Sequence, residues 1–187
     1  MNKKKTQTIC ITTAINYQIR SSIEVGGELI TSQDTLKVLG FTFGRHPTMQ
    51  AHIDAIRRKY GARAWFIRHL KKVKLDKKTL TEIYSSLVHP VIEFAAPVYH
   101  HMLSDELSEE IERMQRQMFK SIYAMKTSYA NAISESGYER LDDRRSSLAL
   151  KFALKAEKNP RFTHWFHPQL ESVYGLRRTQ KYAEEFA

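Results

Sequence analysis

The sequence predicts an α+β fold, mostly α, in which a small N-terminal antiparallel β unit is followed by a helical bundle. Three observations predict it. Up to Phe43 the apolar residues come in short alternating runs broken by glycine. After Pro47 they recur at spacings of three and four. The 187 residues are 42% hydrophobic and 11% aromatic, which is enough apolar material for a buried core.

Taken in order, "TICITT" (Thr8 to Thr13) is rich in β-branched residues and reads as a strand. In "SIEVGGELI" (Ser22 to Ile30), Gly26-Gly27 separates two alternating runs as a two-residue hairpin turn does. "LKVLGFTF" (Leu36 to Phe43) is a third β-rich run. A sheet this small needs a packed face, so helices must cover it. Met49, Ile53, Ile56, Tyr60, Ala64, Ile67 and Leu70 line one side of a helix of about six turns, with the arginines expected largely on the other side. Asp76 caps a second helix carrying Leu80, Ile83, Tyr84, Leu87 and Val91. Pro90 and Pro97 should kink or break it, because proline lacks the ladder donor and clashes with the preceding turn.

Ser104 then precedes an acid-started helix with a stripe of Leu107, Ile111, Met114, Met118, Ile122 and Met125. A short helix from Tyr129 to Glu135 stops at Gly137. Asp142 or Asp143 is expected to cap a last helix from Arg144 to Lys158, ended by Pro160. The tail beyond is aromatic and basic without a clear period.

Cys10 is the single cysteine, so no intramolecular disulfide can form. That usage fits a reducing compartment, cytoplasmic or nuclear, with Cys10 as a small buried hydrophobe. No apolar run approaches the roughly 20 residues that span a bilayer, so no membrane partner is expected. There is no Gly-rich phosphate loop, no serine elbow and no spaced Cys/His zinc set. His164 and His167 are close in sequence but lack an evident third ligand, and read as core or surface histidines. Two-metal phosphoryl transfer needs paired carboxylates, whereas the first forty residues hold only Glu24, Glu28 and Asp34.

The net charge is +10, and its distribution says more than its size. Between Arg57 and Lys78 stand ten Lys or Arg against one acid, Asp76, while Ser104 to Glu112 holds five acids and no base. Tyr60, Trp65 and Phe66 interleave with the cations and could stack on bases. Such a helix points to a polyanion, gripped through phosphates by Arg57, Arg58, Arg63, Arg68, Lys71, Lys72 and Lys74. Glu93 lies in an apolar run, where a carboxylate is costly without a partner. Arg144 or Arg145 is expected to supply one.

Six blocks in fixed order carry a resemblance that covers nearly the whole chain. They are "NKKKT" (Asn2 to Thr6), "VGGELI" with "LKVLGFTF" (Val25 to Phe43), "HIDAIRRK" (His52 to Lys59), "IYSSLVHPVIEFAAPVY" (Ile83 to Tyr99), "IERMQRQMFKSIY" (Ile111 to Tyr123) and "RLDDRRSSLALKF" (Arg140 to Phe152). Together they resemble the C-terminal part of reverse transcriptases of jockey-like non-LTR retrotransposons. The resemblance implies that residues 1–45 are a β remnant of a polymerase palm with a primer-grip-like hairpin. It makes 46–126 a helical thumb-like region and 127–187 a helical C-terminal extension with an irregular tail.

By the same resemblance Lys5 matches a lysine that in related polymerases assists the leaving pyrophosphate. Leu39, Gly40 and Phe41 would lie near the 3′ end of the primer. The implied partner is an RNA/DNA or DNA template-primer, bound without sequence preference. The missing palm and fingers, or a second copy, are further expected partners. The catalytic aspartates and the magnesium they hold in complete RNA-directed DNA polymerases precede the matched region. The chain alone is therefore expected to be a truncated product, inactive and without a cofactor. The alternative expectation is a helical protein-interaction or self-association module derived from a degenerate retroelement.

Overall fold

The computed structural model describes residues 6–14, 21–123 and 127–162. Lys5, Met125, His164 and His167 lie outside them. Within them the chain is mostly helical behind two small antiparallel sheets, as the sequence predicts.

β1 (Ser22–Val25) pairs with β2 (Glu28–Thr31), and Gly26 and Gly27 both take positive φ at the turn. The third β-rich run is not one strand but a second hairpin, β3 (Thr35–Val38) with β4 (Phe41–Gly44). Leu39 and Gly40 form its turn, with φ of 49° and 90°. Two consecutive positive φ values match the right-handed twist of the strands, which lets so short a loop reverse the chain. Thr8 to Thr13 does not form a strand. Only Ile9 makes a bridge, to Gln33, and Thr12 N donates instead to Arg45 O at 2.9 Å. Cys10 is half-buried rather than enclosed.

α1 (Gln50–Lys72) follows and buries the expected stripe. Asp76 caps α2 (Lys77–Leu87), its carboxylate accepting from Thr79 N at 3.0 Å. The prolines break the next run into α3 (His89–Glu93) and α4 (Ala96–Tyr99), each with proline in its first two positions, where no ladder donor is needed. Ala95 turns left-handed between them, at φ 60°. A 3₁₀ turn, His100–Met102, leads to Ser104, whose hydroxyl accepts from Leu107 N at the start of α5 (Asp105–Tyr123). α6 (Tyr129–Ser136) is capped by Ser128 and ends at Gly137. α7 spans Leu141–Glu157. Its N-cap is Arg140, not Asp142 or Asp143. Those two acids lie inside the first turn, and the Asp142 amide donates to buried Glu112 instead of receiving a side-chain cap.

α1 packs against β4, α2, α3 and α5, and α7 closes over α4 and α5. Ile53, Ile56, Ile67, Tyr84, Ile92 and Phe119 meet in the centre with at most 2% exposure. Each large apolar side chain so enclosed stabilises the fold by roughly 1.5–3 kcal/mol. Polar pegs fix the register: Tyr60 donates to Met114 O at 2.7 Å, and Tyr84 to Gln115 Oε1 at 3.0 Å. None of the described helices is long and apolar enough to cross a membrane.

Candidate nucleic-acid interface

The basic helix is not basic on one face. With 3.6 residues per turn, the cations of α1 fall on both flanks of the buried stripe and on the pole opposite it. Arg57 and Lys71 turn toward α5. Arg57 pairs with Asp54 at 3.3 Å and Glu110 at 3.2 Å, and Lys71 donates to Ser121 O. Glu110 belongs to the acidic stretch at the start of α5, so that stretch faces the molecule's own cations. Arg68 sits beside the Tyr60 hydroxyl. Lys59 and Arg63 occupy the other flank, where Arg63 donates to Lys59 O at 3.1 Å. Lys74 lies past the helix end, in a left-handed conformation at φ 62°.

What remains at the solvent pole is Arg58, Trp65, His69 and Lys72, spaced by seven, four and three residues and all exposed. Trp65 is 60% exposed and its ring lies 4.2 Å from that of His69. A large aromatic held open between cations is the kind of surface on which a planar ring can stack. Phe66 points to the α2 side of the helix, and Tyr60 is not available for stacking at all. Tyr60 is only 5% exposed, and burial pushes its hydroxyl up to about 12.

The pole continues into a cavity of about 420 Å³ at the start of α1, lined by Arg45, His46, Thr48, Gln50, Asp54 and Arg58 among others. α1 has no acid in its first turn and no side-chain cap, so its first amides and positive dipole end face this space. Arg45 is held by Asp34 across the hairpin mouth, and Gln50 donates to Asp54 at 3.2 Å. Arg58 is therefore the cation of the cavity without a carboxylate among the described residues. Arg45 and His46 were not singled out by the sequence, since only the folded hairpin brings them to Arg58. The signal available was "RHP" immediately before the helical period.

The primer-grip-like residues separate. Leu39 is 93% exposed at the hairpin tip, whereas Phe41 is turned inward, 7% exposed and stacked on His52 with centroids 4.1 Å apart. Gly40 lies against the Phe94 ring, where a Cβ would sit 3.0 Å from its carbons. The hairpin is thus anchored to α1 and to the α3–α4 junction, with its tip outward.

Glu93 is paired as expected, by Arg144 Nε, with Arg145 directed elsewhere: to Ser108 Oγ at 2.8 Å and Asp142 at 3.0 Å. His89 Nδ1 lies 4.0 Å from Glu93, but burial holds its pKa near 4, so it is neutral at pH 7 and forms no ion pair. A second carboxylate network, unread in the sequence, centres on Glu112. It accepts from the Tyr129 hydroxyl at 2.5 Å and lies 3.4 Å from Arg140 Nε.

Among the described residues no cluster of three or more His, Cys, Asp or Glu side chains could hold a metal ion. Comparison with protein families, curated proteins and solved structures finds no match for the chain.

Proposed function

We propose that the chain is a nucleic-acid-binding module of reverse-transcriptase ancestry, thumb-like in character, which holds a template-primer or a single strand without reading its sequence. The observation that carries this reading is Trp65, exposed and tilted against the His69 ring between Arg58 and Lys72 on the solvent pole of α1. From Gln50 to Lys72 the helix runs about 33 Å. A strand laid along it would meet the cavity cations first, then the aromatic pair, then Lys72. No base-edge reader is required, because phosphates and ring faces are common to every sequence. The order of the six sequence blocks supports the polymerase ancestry.

The test is titration of RNA/DNA duplex and of oligo(dT) against the chain at several salt concentrations. Arg58→Glu with Lys72→Glu should weaken binding equally across sequences and flatten the salt slope by roughly one unit per lost phosphate contact. Trp65→Ala should cost single-strand binding about 1–3 kcal/mol, with Trp65→Phe recovering part of it. Unchanged affinity in all three variants would remove the reading.

A second reading, self-association or protein interaction, is favoured by Val98, Met102 and Phe152, which stay 48–55% exposed. It predicts concentration-dependent association that salt leaves unchanged.

A further inference from the structure

The α1–α2 hairpin carries a groove on the flank away from α5. Its volume is about 390 Å³, and it is lined by Phe66 and Leu70 of α1 and by Thr79, Glu82, Ile83, Ser86 and Leu87 of α2. Phe66 is 44% exposed and Leu87 37%, so the groove has an apolar floor in contact with water. Cations flank it along the chain on both helices. Lys59 and Arg63 of α1 precede Phe66 by seven and three residues, and Lys74, past the end of α1, follows Leu70 by four. On α2, Lys78 stands one turn before Glu82. None of these four has a carboxylate partner among the described residues.

We infer that this groove is a docking site for an acidic amphipathic α-helix of another protein. Two independent features select that occupant. An apolar ridge repeating at three and four residues is what fills a channel between two helices, since ridges pack into grooves. The charge order along the groove is basic, acidic at Glu82, basic. It is matched by a helix with carboxylates at both ends and one Lys or Arg in the middle of its polar flank. Nucleic acid fits less well: its phosphates would satisfy the ends, but would leave the floor wet and bring negative charge to Glu82. Along α2 the lining runs from Thr79 to Leu87, about 12 Å or roughly two helical turns, and the flanking cations lie beyond it. This site is separate from the solvent pole of α1, and it stands or falls independently of the nucleic-acid reading.

The experiment uses the full chain and a fluorescein-labelled synthetic peptide of about four helical turns. Leucines face the groove at spacings of three and four, glutamates occupy both ends, and one lysine lies at the centre. A composition-matched peptide with permuted order, and oligo(dT), serve as competing probes. Anisotropy should show saturable binding of the patterned peptide at least tenfold tighter than of the permuted one. Phe66→Ser and Leu87→Ser, both at half-exposed positions, should each weaken it at least fivefold while circular dichroism stays unchanged. Lys74→Glu with Lys78→Glu should weaken it further, and Arg58→Glu with Lys72→Glu should leave it unaffected. Equal binding of the two peptides, full affinity in the Phe66 and Leu87 variants, or displacement of the peptide by oligo(dT) would overturn the assignment.

Discussion

Arg144 of α7 donates through Nε to Oε1 of Glu93, the last residue of α3, and joins two parts of the chain that lie 51 residues apart. Glu93 is 16% exposed and Arg144 30%, so neither is a freely solvated surface charge. Removing one partner strands the other in a half-dry place, which is costlier than removing both. Glu93→Gln and Arg144→Met should each lower unfolding free energy by about 1–3 kcal/mol, and the double variant by less than the sum. Urea denaturation of the four proteins measures the coupling. Strict additivity would mean that the contact holds nothing.

Acid should unfold the protein in a window set by three histidines. Burial is the first cause in each case, and holds His52, His89 and His100 near 4 against an ordinary 6.5. The geometry agrees, because Thr42 N donates to His52 Nδ1 at 3.3 Å and a protonated ring could not accept that bond. A folded-state value below the unfolded one means that the contribution is complete above about pH 6.5. It is lost as pH falls from there toward about 4. Denaturation midpoints measured from pH 7.5 down to 4.5 should fall steeply, and His52→Gln should make the fall shallower.

Gly61 stands inside α1, yet a Cβ there would meet nothing within 4 Å. Packing does not require glycine at this point, and a helix interior disfavours it. Gly61→Ala should raise stability by about 0.5–1 kcal/mol, read as a higher urea midpoint at unchanged slope.

The second hairpin turn should respond oppositely at its two positions. Leu39 holds a left-handed φ with 93% of its surface exposed, so Leu39→Asn relieves strain without losing buried area and should stabilise by about 1 kcal/mol. Gly40→Ala meets both a φ of 90° and the Phe94 ring, and should destabilise by more than that. Thermal melts of the two variants check the pair.

Much of the architecture was legible because it is periodic. The stripe from Met49 to Leu70, the Asp76 cap and the Gly26-Gly27 turn each combine a local signal with a local consequence. The second turn was less legible, since leucine is a poor marker for the left-handed position that Leu39 fills, and Gly40 is explained only by its distance from Phe94. The candidate site was legible in composition but not in direction. Ten cations in one window raise the expectation of a polyanionic partner, yet which flank each occupies depends on where α5 and α2 lie. Arg57 is claimed by Glu110 and Lys71 by Ser121, while Trp65 is left outside, and those are facts of tertiary packing.

The first hairpin leaves Ile23 and Leu29, one on each of its faces, 53% and 75% exposed, so neither face is sealed against the helical body. Its ladder can open without disturbing Ile53 or Phe119. Amide protons of Ser22 to Thr31 will therefore trade with deuterium through small local excursions, while those in the middle of α5 wait for the whole molecule to unfold. One polypeptide thus keeps two clocks, a fast one at its β tip and a slow one at its helical centre.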